Sequence, residues 1–525
     1  MMRYLPLVAF VLVLVLPFVV QRFVRPAPPV ARAEGTIRLT IMTSHNQDIR
    51  NEFARAFDRW HRERFGKAAE LVYIAPGGGG EVRRYLEAMY AGQLRDGNVP
   101  ESFKSDIDLV WGGGDFFFDV EIKRFLQPVD LPPALLEEVF PEKTLAGVRL
   151  YDFSTDKDGR PGPIRWVGIC ISSFGIVYNP NVYRSLGLPP PTTWSDLADE
   201  RLFGWVAMAN PASSSSAAVS YSMVLQRAMA DVEEPLLKQR PELAALSGPE
   251  RMRDAGYKAA VAEGWRRGNG TLLRIAANAR YFTDSGTQPP NDVANGEAAV
   301  GMAIDFYGRV YEETAGRDRL RFFEPPAATA MNPDPIAILL GVRGEQYRLA
   351  NRFIEFLLSK EGQRIWIQRP GSPGGPTQRA LRRPPIRRDL YPPAGDVSDW
   401  TDPELNPFES AGGFNIRREW DALFTDTRMM WAAAWIDGRE ELRRAYRAVL
   451  AVRDERRRGE LMARLSDFPM TYAELEAVQA ERRGVPGPRL GEWRASKRVE
   501  LARRFREHYR AVWQAAREAG AVATR

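Results

Sequence analysis

This 525-residue sequence predicts a mixed α/β fold followed by a mostly helical C-terminal part. Three observations carry that prediction. Segments with β periodicity alternate with segments of helical periodicity from Thr36 onward. Glycine- and serine-rich turns stand where those strands run into helices. From Ile416 the pattern is helical.

The elements follow in order. Arg3 precedes an apolar run, Tyr4 to Val20, and Gln21, Arg22 and Arg25 come after it. That is the form of a secretory signal or a membrane anchor. Pro26, Pro28 and Pro29 read as a stiff spacer, and Ala31-Arg32-Ala33 has the small-x-small form of a cleavage site. The run is slightly short of the ~20 residues of a spanning helix. No cysteine follows it, which excludes a lipoprotein anchor. Residues 1–33 are therefore a targeting unit, either cleaved or retained as an anchor through residues 4–20.

Ile37, Leu39 and Ile41 alternate as a strand does, and Ile49, Phe53, Phe57 and Trp60 mark one helix face. Leu71 to Ala75 is a strand that runs into Gly77-Gly78-Gly79-Gly80. Val82, Leu86 and Met89 mark the helix that opens there. Ile107 to Trp111 is a short apolar strand ending in Gly112-Gly113-Gly114-Asp115. This βαβαβ order implies a mostly parallel sheet. Asp152 to Pro163 is turn-rich. Its Asp156-Lys157-Asp158-Gly159 lacks the later glutamate of a calcium loop and reads as a hairpin turn.

Trp166 to Tyr178 is a strand ended by Asn179-Pro180, and Thr193 caps a helix at Trp194. Trp205 to Ala209 is a strand leading into Asn210-Pro211 and Ser213 to Ser216. Ala298 to Ile304 is another, ending at Asp305-Phe306-Tyr307-Gly308. Ala350 to Trp366 reads as one long amphipathic helix. Residues 369–407, rich in Pro, Gly and Arg, read as an irregular wrap or linker. Thr471 and Glu474 fit a capping box. Ala502, Phe505, Tyr509, Val512 and Ala516 form the stripe of a last helix.

Composition narrows the function. With 44% apolar and 27% charged residues the chain is an ordinary globular protein. Its net charge of +6 arises in 451–525, which hold 17 basic and 11 acidic residues; residues 1–450 are neutral. A nucleic-acid partner is not indicated. Cys170 is the only cysteine, so neither an internal disulfide nor a cysteine zinc cluster forms. His45, His61 and His508 are too scattered for a metal motif, and no Ser-His-Asp motif is present. The chain does not read as an enzyme.

The turns suggest binding instead. Gly78, Gly79 and Gly80 present backbone N–H groups at a helix start, where anions bind. No Gly-Lys-Ser/Thr follows, so this is not a nucleotide P-loop. Ser213 and Ser214 add hydroxyls to a second such start. The other reading of each is a plain turn or cap.

Taken together, "DLVWGGGD", "FGIVYNPNVYRSLGLPPPTTWSDL", "VAMANPASSSSA", "VANGEAAVGMAIDFYGRV" and "ANRFIEFLLSKEGQRIW" resemble the extracellular solute-binding proteins of ATP-driven importers, specifically the ferric-iron-type cluster. The resemblance covers Thr36 to Trp366 and, more loosely, the helices to Val452. It implies a two-lobed, type II periplasmic-binding-protein-like fold with a hinge. Lobe I would hold 34–168 with 325–450, lobe II would hold 169–324, and 451–525 would be a basic helical extension. The hinge strands would lie near Val167 to Val177 and near Phe322 to Leu340.

The same resemblance implies export to the periplasm or cell envelope and delivery of a ligand to an ABC permease. It implies no cofactor, Fe(III) being at most a transported ligand. The ligand-binding residues would be Ser44, His45, Asn46, Gly78, Gly79, Gly80, Gly113, Ser172, Ser173, Ser213, Ser214, Asp305 and Tyr307. Iron-binding members carry a histidine in the first turn and paired tyrosines where this chain has Phe306 and Tyr307. The missing phenolate favours a small organic ligand bearing phosphate, phosphonate or carboxylate, with Asp305 on an ammonium or hydroxyl group. Fe(III) held by His45 and Tyr307 is the alternative. A membrane-tethered receptor or scaffold is a third reading. Trp111, Phe116, Phe117 and Phe118 would pack on the ligand or in the core.

Overall fold

The computed structural model describes residues 36–154, 160–410 and 421–522. The expected targeting unit 1–33, the expected turn at Asp156 to Gly159 and the expected helix start at Ile416 lie outside them. Among the described residues no helix is long and apolar enough to cross a membrane.

Lobe I is built on strands β1 (Ile37–Thr43), β2 (Ala69–Ile74), β3 (Leu109–Trp111) and β4 (Leu126–Gln127). Later come β5 (Val167–Ser172) and β11 (Asn332–Leu339). The sheet order is β2-β1-β3-β11-β4, with β5 also paired to β11. β1 is parallel to β2 and β3, whereas β11 runs antiparallel to its neighbours. Helix α1 (Gln47–Phe65) starts where the Asn46 side chain accepts from the Ile49 N–H and stops at Gly66, φ 67°. Cap and left-handed glycine are the two ordinary ways of satisfying helix ends. Its buried face carries Phe53, Phe57 and Trp60 against Phe353, Phe356 and Trp366. Helix α2 (Gly79–Met89) follows β2.

Lobe II has strands β6 (Phe174–Tyr178), β7 (Val206–Ala209), β8 (Ala279–Thr283), β9 (Val300–Ile304) and β10 (Arg321–Phe323), in the order β8-β7-β9-β6-β10. Long helices α3 (Ser215–Gln239) and α4 (Ala255–Ala277) pack on it, and α5 (Asp305–Ala315) follows β9. Between Val167 and Leu339 the chain crosses between the lobes twice. β5 passes into β6 at Ser173, and β10 returns to β11 through 324–331. Two crossing segments join two α/β lobes at the places where the hinge strands were expected.

Two sequence readings need correction. The single helix over Ala350 to Trp366 is two, α6 (Gly344–Leu358) and α7 (Lys360–Ile367). Ser359 between them is extended and caps α7 by accepting from the Gly362 N–H. A methyl group on Gly362 would meet the Phe356 carbonyl oxygen, so the break is built into the packing.

The second correction concerns the expected lobe I segment 325–450 and the expected separate extension 451–525. Helices α8 (Asp421–Trp431), α9 (Arg439–Leu450), α10 (Glu455–Ser466), α11 (Tyr472–Arg483) and α12 (Leu490–Val522) form one unit. Trp431, Trp435, Tyr446, Phe505 and Tyr509 share a core with Tyr221 and Trp265 of lobe II. Residues 421–450 therefore side with lobe II and with the last 70 or so residues. The physical reason is that α3 and α4 have apolar outer faces, and the aromatic stripe of α8 and α9 covers them. Trp431 seals the joint by donating to the Asn269 amide oxygen at 2.8 Å. Thr471 makes the expected capping box with Glu474.

Candidate functional site

A cavity of about 650 Å3 lies between the lobes. Each wall is an end of a strand or the start of a helix. Lobe I contributes Ser44 and His45 after β1, residues 75–79 after β2, and Gly113 and Gly114 after β3. Lobe II contributes Ser213 to Ser216 at the start of α3, the loop 284–287, and Phe306 with Tyr307 at the start of α5. The hinge adds Ser172, Phe174 and Asn332 to Asp334. The first N–H groups of α2 and α3 have no partner within their helices and carry partial positive charge.

The lobes touch at this point. A Cβ on Gly78 would lie 2.7 Å from the Ser213 carbonyl oxygen, and one on Gly79 would lie 2.6 Å from Ser215 Oγ. The two glycines are thus a requirement of the contact between the lobes. The Ser214 hydroxyl caps α3 by accepting from the Ala217 N–H at 3.3 Å, and Ser213 Oγ donates to Asp284 at 3.1 Å.

The cavity floor holds a charged cluster that the sequence did not announce. Arg383, 1% exposed, reaches in from the wrap segment and donates from Nη1 to Asp334 Oδ2 at 2.5 Å and from Nη2 to Ser172 Oγ. Its guanidinium sits 4.5 Å over the Phe306 ring. Asp334 also takes His45 Nε2 at 2.7 Å and the Gly113 N–H at 3.2 Å. Burial works to raise the Asp334 pKa, but Arg383 and then His45 outweigh it and hold the carboxyl well below its usual range. Burial lowers the His45 pKa despite Asp334, so this histidine is neutral near pH 7 and its Nδ1 is a buried atom without a partner. The wrap is held beside the hinge by the Ile171 N–H donating to Pro384 O and the Arg383 N–H donating to Trp366 O, both at 2.9 Å.

The expected site residues divide. Ser44, His45, Gly78, Gly79, Gly113, Ser172, Ser213, Ser214 and Tyr307 line the cavity. Asn46 instead caps α1, Gly80 packs in the first turn of α2 against the Ala212 carbonyl, and the Ser173 hydroxyl donates to Glu324 at 2.8 Å. Asp305 is fully buried behind the start of α5 and is not part of the lining. Trp111, Phe116, Phe117 and Phe118 are core residues. Tyr311 packs beside the buried Val177 and Leu320. Cys170 is buried, and burial raises its thiol pKa well above the ordinary value. Among the described residues no group of three or more His, Cys, Asp or Glu side chains is arranged to hold a metal ion. Arg383, Asp334 and Asn332 went unread. The only trace of Arg383 in the sequence is "LRRPP" inside a segment otherwise read as linker.

Asp305 nevertheless has a consequence. Its two carboxylate oxygens find no partner, and burial, offset in part by Arg309 and Arg383, pushes its pKa up from 3.8 to about 7. A raised carboxyl pKa gives stability that is complete below the unfolded value and is lost as pH rises through about 7. Asp305→Asn is therefore expected to stabilise the protein above pH 7 by on the order of a few kcal/mol and to flatten the fall in Tm between the two values. Thermal melts across pH check this. A profile identical to that of the wild type would mean that Asp305 is ionised in the fold.

Residues 167–369 match the family described as bacterial extracellular solute-binding protein. The phosphoglycerate transport regulatory protein PgtC of Salmonella typhimurium is 26% identical over 199 residues, 38% of this chain and 40% of its own. The chain thus spans two fifths of the length of the curated relatives it matches. Among solved structures, the periplasmic binding protein AfuA from Actinobacillus pleuropneumoniae, with fructose-6-phosphate bound, is 19% identical, with 75% of this chain and 97% of that one covered and a TM-score of 0.48. Iron-bound HitA from Pseudomonas aeruginosa is 16% identical, with 75% and 98% covered and a TM-score of 0.45. The matched segment runs from the first hinge crossing through lobe II and back into lobe I, and over it this chain is similar to the bacterial extracellular solute-binding proteins.

Proposed function

We propose that the protein captures a small organic anion between its lobes, outside the cytoplasm, and presents it to an ABC permease. The observation that carries this reading is the convergence of donors from three sources on one cavity: the start of α2, the start of α3, and the buried Arg383 guanidinium. Both helix starts favour negative charge, and a planar guanidinium suits carboxylate or phosphate. The name of the curated relative makes phosphoglycerate, which bears both groups, the first solute to test. Recognition of an ammonium group loses the support of Asp305, because that side chain is behind the wall.

Fe(III) is the less supported ligand. His45 Nε2 is engaged by Asp334, Tyr307 has no second phenolate across the cavity, and burial raises its pKa. The N-terminal apolar run fits either a cleaved signal or a tether that keeps the carrier beside its permease.

A thermal-shift series with orthophosphate, phosphoglycerate, a hexose phosphate and ferric citrate tests the reading. A solute at 100 times its Kd adds ~2.7 kcal/mol of stability. A rise in Tm with a phosphorylated solute is expected. A rise with ferric citrate alone, lost in Tyr307→Phe, would reassign the protein as an iron carrier.

A further inference from the structure

Besides the two hinge crossings, helix α8 ties the lobes together through side chains. Arg428 lies buried at their joint, its side chain 8% exposed and that of its partner Glu121 6%. Its Nε donates to the Pro211 carbonyl at 2.9 Å and its Nη2 to the Ala212 carbonyl at 3.4 Å. Its Nη1 donates to Glu121 Oε1 at 2.9 Å. Pro211 and Ala212 open the serine turn of lobe II. Glu121 ends a π-helical turn, Phe117–Glu121, in lobe I.

The rest of α8 repeats this division. One turn before Arg428, the Phe424 ring meets Phe116 of lobe I edge-on at 4.8 Å. One turn after it, Trp431 lies 6.1 Å from Tyr221 of lobe II. The Ala212 carbonyl that receives Arg428 is also the atom a Cβ on Gly80 of lobe I would approach to 3.2 Å. The serine turn is therefore held between the glycine turn of lobe I and the guanidinium of α8. Asp426 anchors α8 to α11 through Arg482, at 2.8 and 3.1 Å, so the helix moves with the C-terminal unit.

We propose that Arg428 is a closure latch: it ties Glu121 of lobe I to the serine turn of lobe II only while the cleft is shut, so that the C-terminal helices favour and register the closed form. A contact shifts a conformational equilibrium by its differential strength in the two states. The Glu121 tie exists in the closed arrangement and is replaced by water when lobe I swings away. Arg428 is here a positioning residue, since it touches the solute-binding turn and not the cavity. The proposal rests on the closing-cleft reading of function. Its test needs no solute, so its failure would leave that reading standing.

The experiment is double electron–electron resonance on the full-length chain in mild detergent. Spin labels are placed at Tyr85→Cys in α2 and Lys238→Cys in α3, both exposed, with buried Cys170 left unmodified. Removing a charged hydrogen-bonding partner is expected to raise the open-to-closed ratio roughly tenfold in Arg428→Met, seen as a second, longer distance. Glu121→Gln should move the distribution the same way by less, and Arg428→Lys should largely restore it. Distances like those of the wild type in both Arg428→Met and Glu121→Gln overturn the latch, even if Tm falls, because a merely structural contact would cost stability without moving the lobes. If Arg428→Met does not fold, Glu121→Gln alone decides: longer distances support the latch, and unchanged ones overturn it.

Discussion

Gly78→Val is expected to weaken binding of phosphoglycerate or orthophosphate by about 100-fold or more while changing the Tm of the solute-free protein little. The contrast follows from where the clash falls. Gly78 has φ −78° and ψ −176°, an extended conformation that a β-branched residue adopts without strain. Lobe I therefore accepts valine at this position. The obstacle is the Ser213 carbonyl oxygen, 2.7 Å from the would-be Cβ, and it belongs to the other lobe. A backbone oxygen cannot rotate away as a flexible side chain can. The lobes must then stop short of contact, and the donors of α2 and α3 no longer reach one anion. Losing a factor of 100 corresponds to ~2.7 kcal/mol, within the ~1–3 kcal/mol or more that overpacking costs. Calorimetric titration beside a thermal melt separates the two effects. An affinity like that of the wild type would mean that the lobes do not meet at these turns when solute is bound.

Arg383→Met is expected to abolish binding of the same anions and also to destabilise the fold by ~3–5 kcal/mol. Asp334 is buried and ionised because of Arg383. With the guanidinium gone, a carboxylate remains in the interior beside a neutral histidine, and an unpaired buried charge is costly. The double variant Asp334→Asn/Arg383→Met removes both charges. It should recover most of the stability and none of the binding, which distinguishes recognition of the solute from upkeep of the core. Urea unfolding and titration of both variants give the answer. Binding preserved in Arg383→Met would place the anion at the helix starts alone.

Much of the architecture was legible because local periodicity carries it. The alternation of Ile37, Leu39 and Ile41, the face of Phe53, Phe57 and Trp60, and the Thr471 cap each depend on neighbours in the chain. Turns of glycine and serine at strand ends marked the starts of α2 and α3 that line the cavity. What the sequence hid is equally specific. Arg383 sits in an irregular segment, and the Asp334 side chain accepts from the Gly113 N–H, 221 residues away in the chain. No period or motif reports a contact of that separation. Asp305 was misread for the same reason, since the sequence shows that a carboxylate follows β9 but not which side of the wall it occupies.

By itself the sequence determined that strands feed helices through anion-friendly turns, that the chain resembles a family of carriers, and that its last part is helical. Short-range hydrogen bonding and side-chain periodicity are enough for that. Tertiary structure alone decided that the glycine and serine turns touch across a cleft, that a buried arginine from the wrap forms its floor, and that α8 packs with lobe II while reaching back to lobe I. Those facts come from burying apolar faces and pairing buried charges between distant segments, and such pairings exist only once the lobes are assembled.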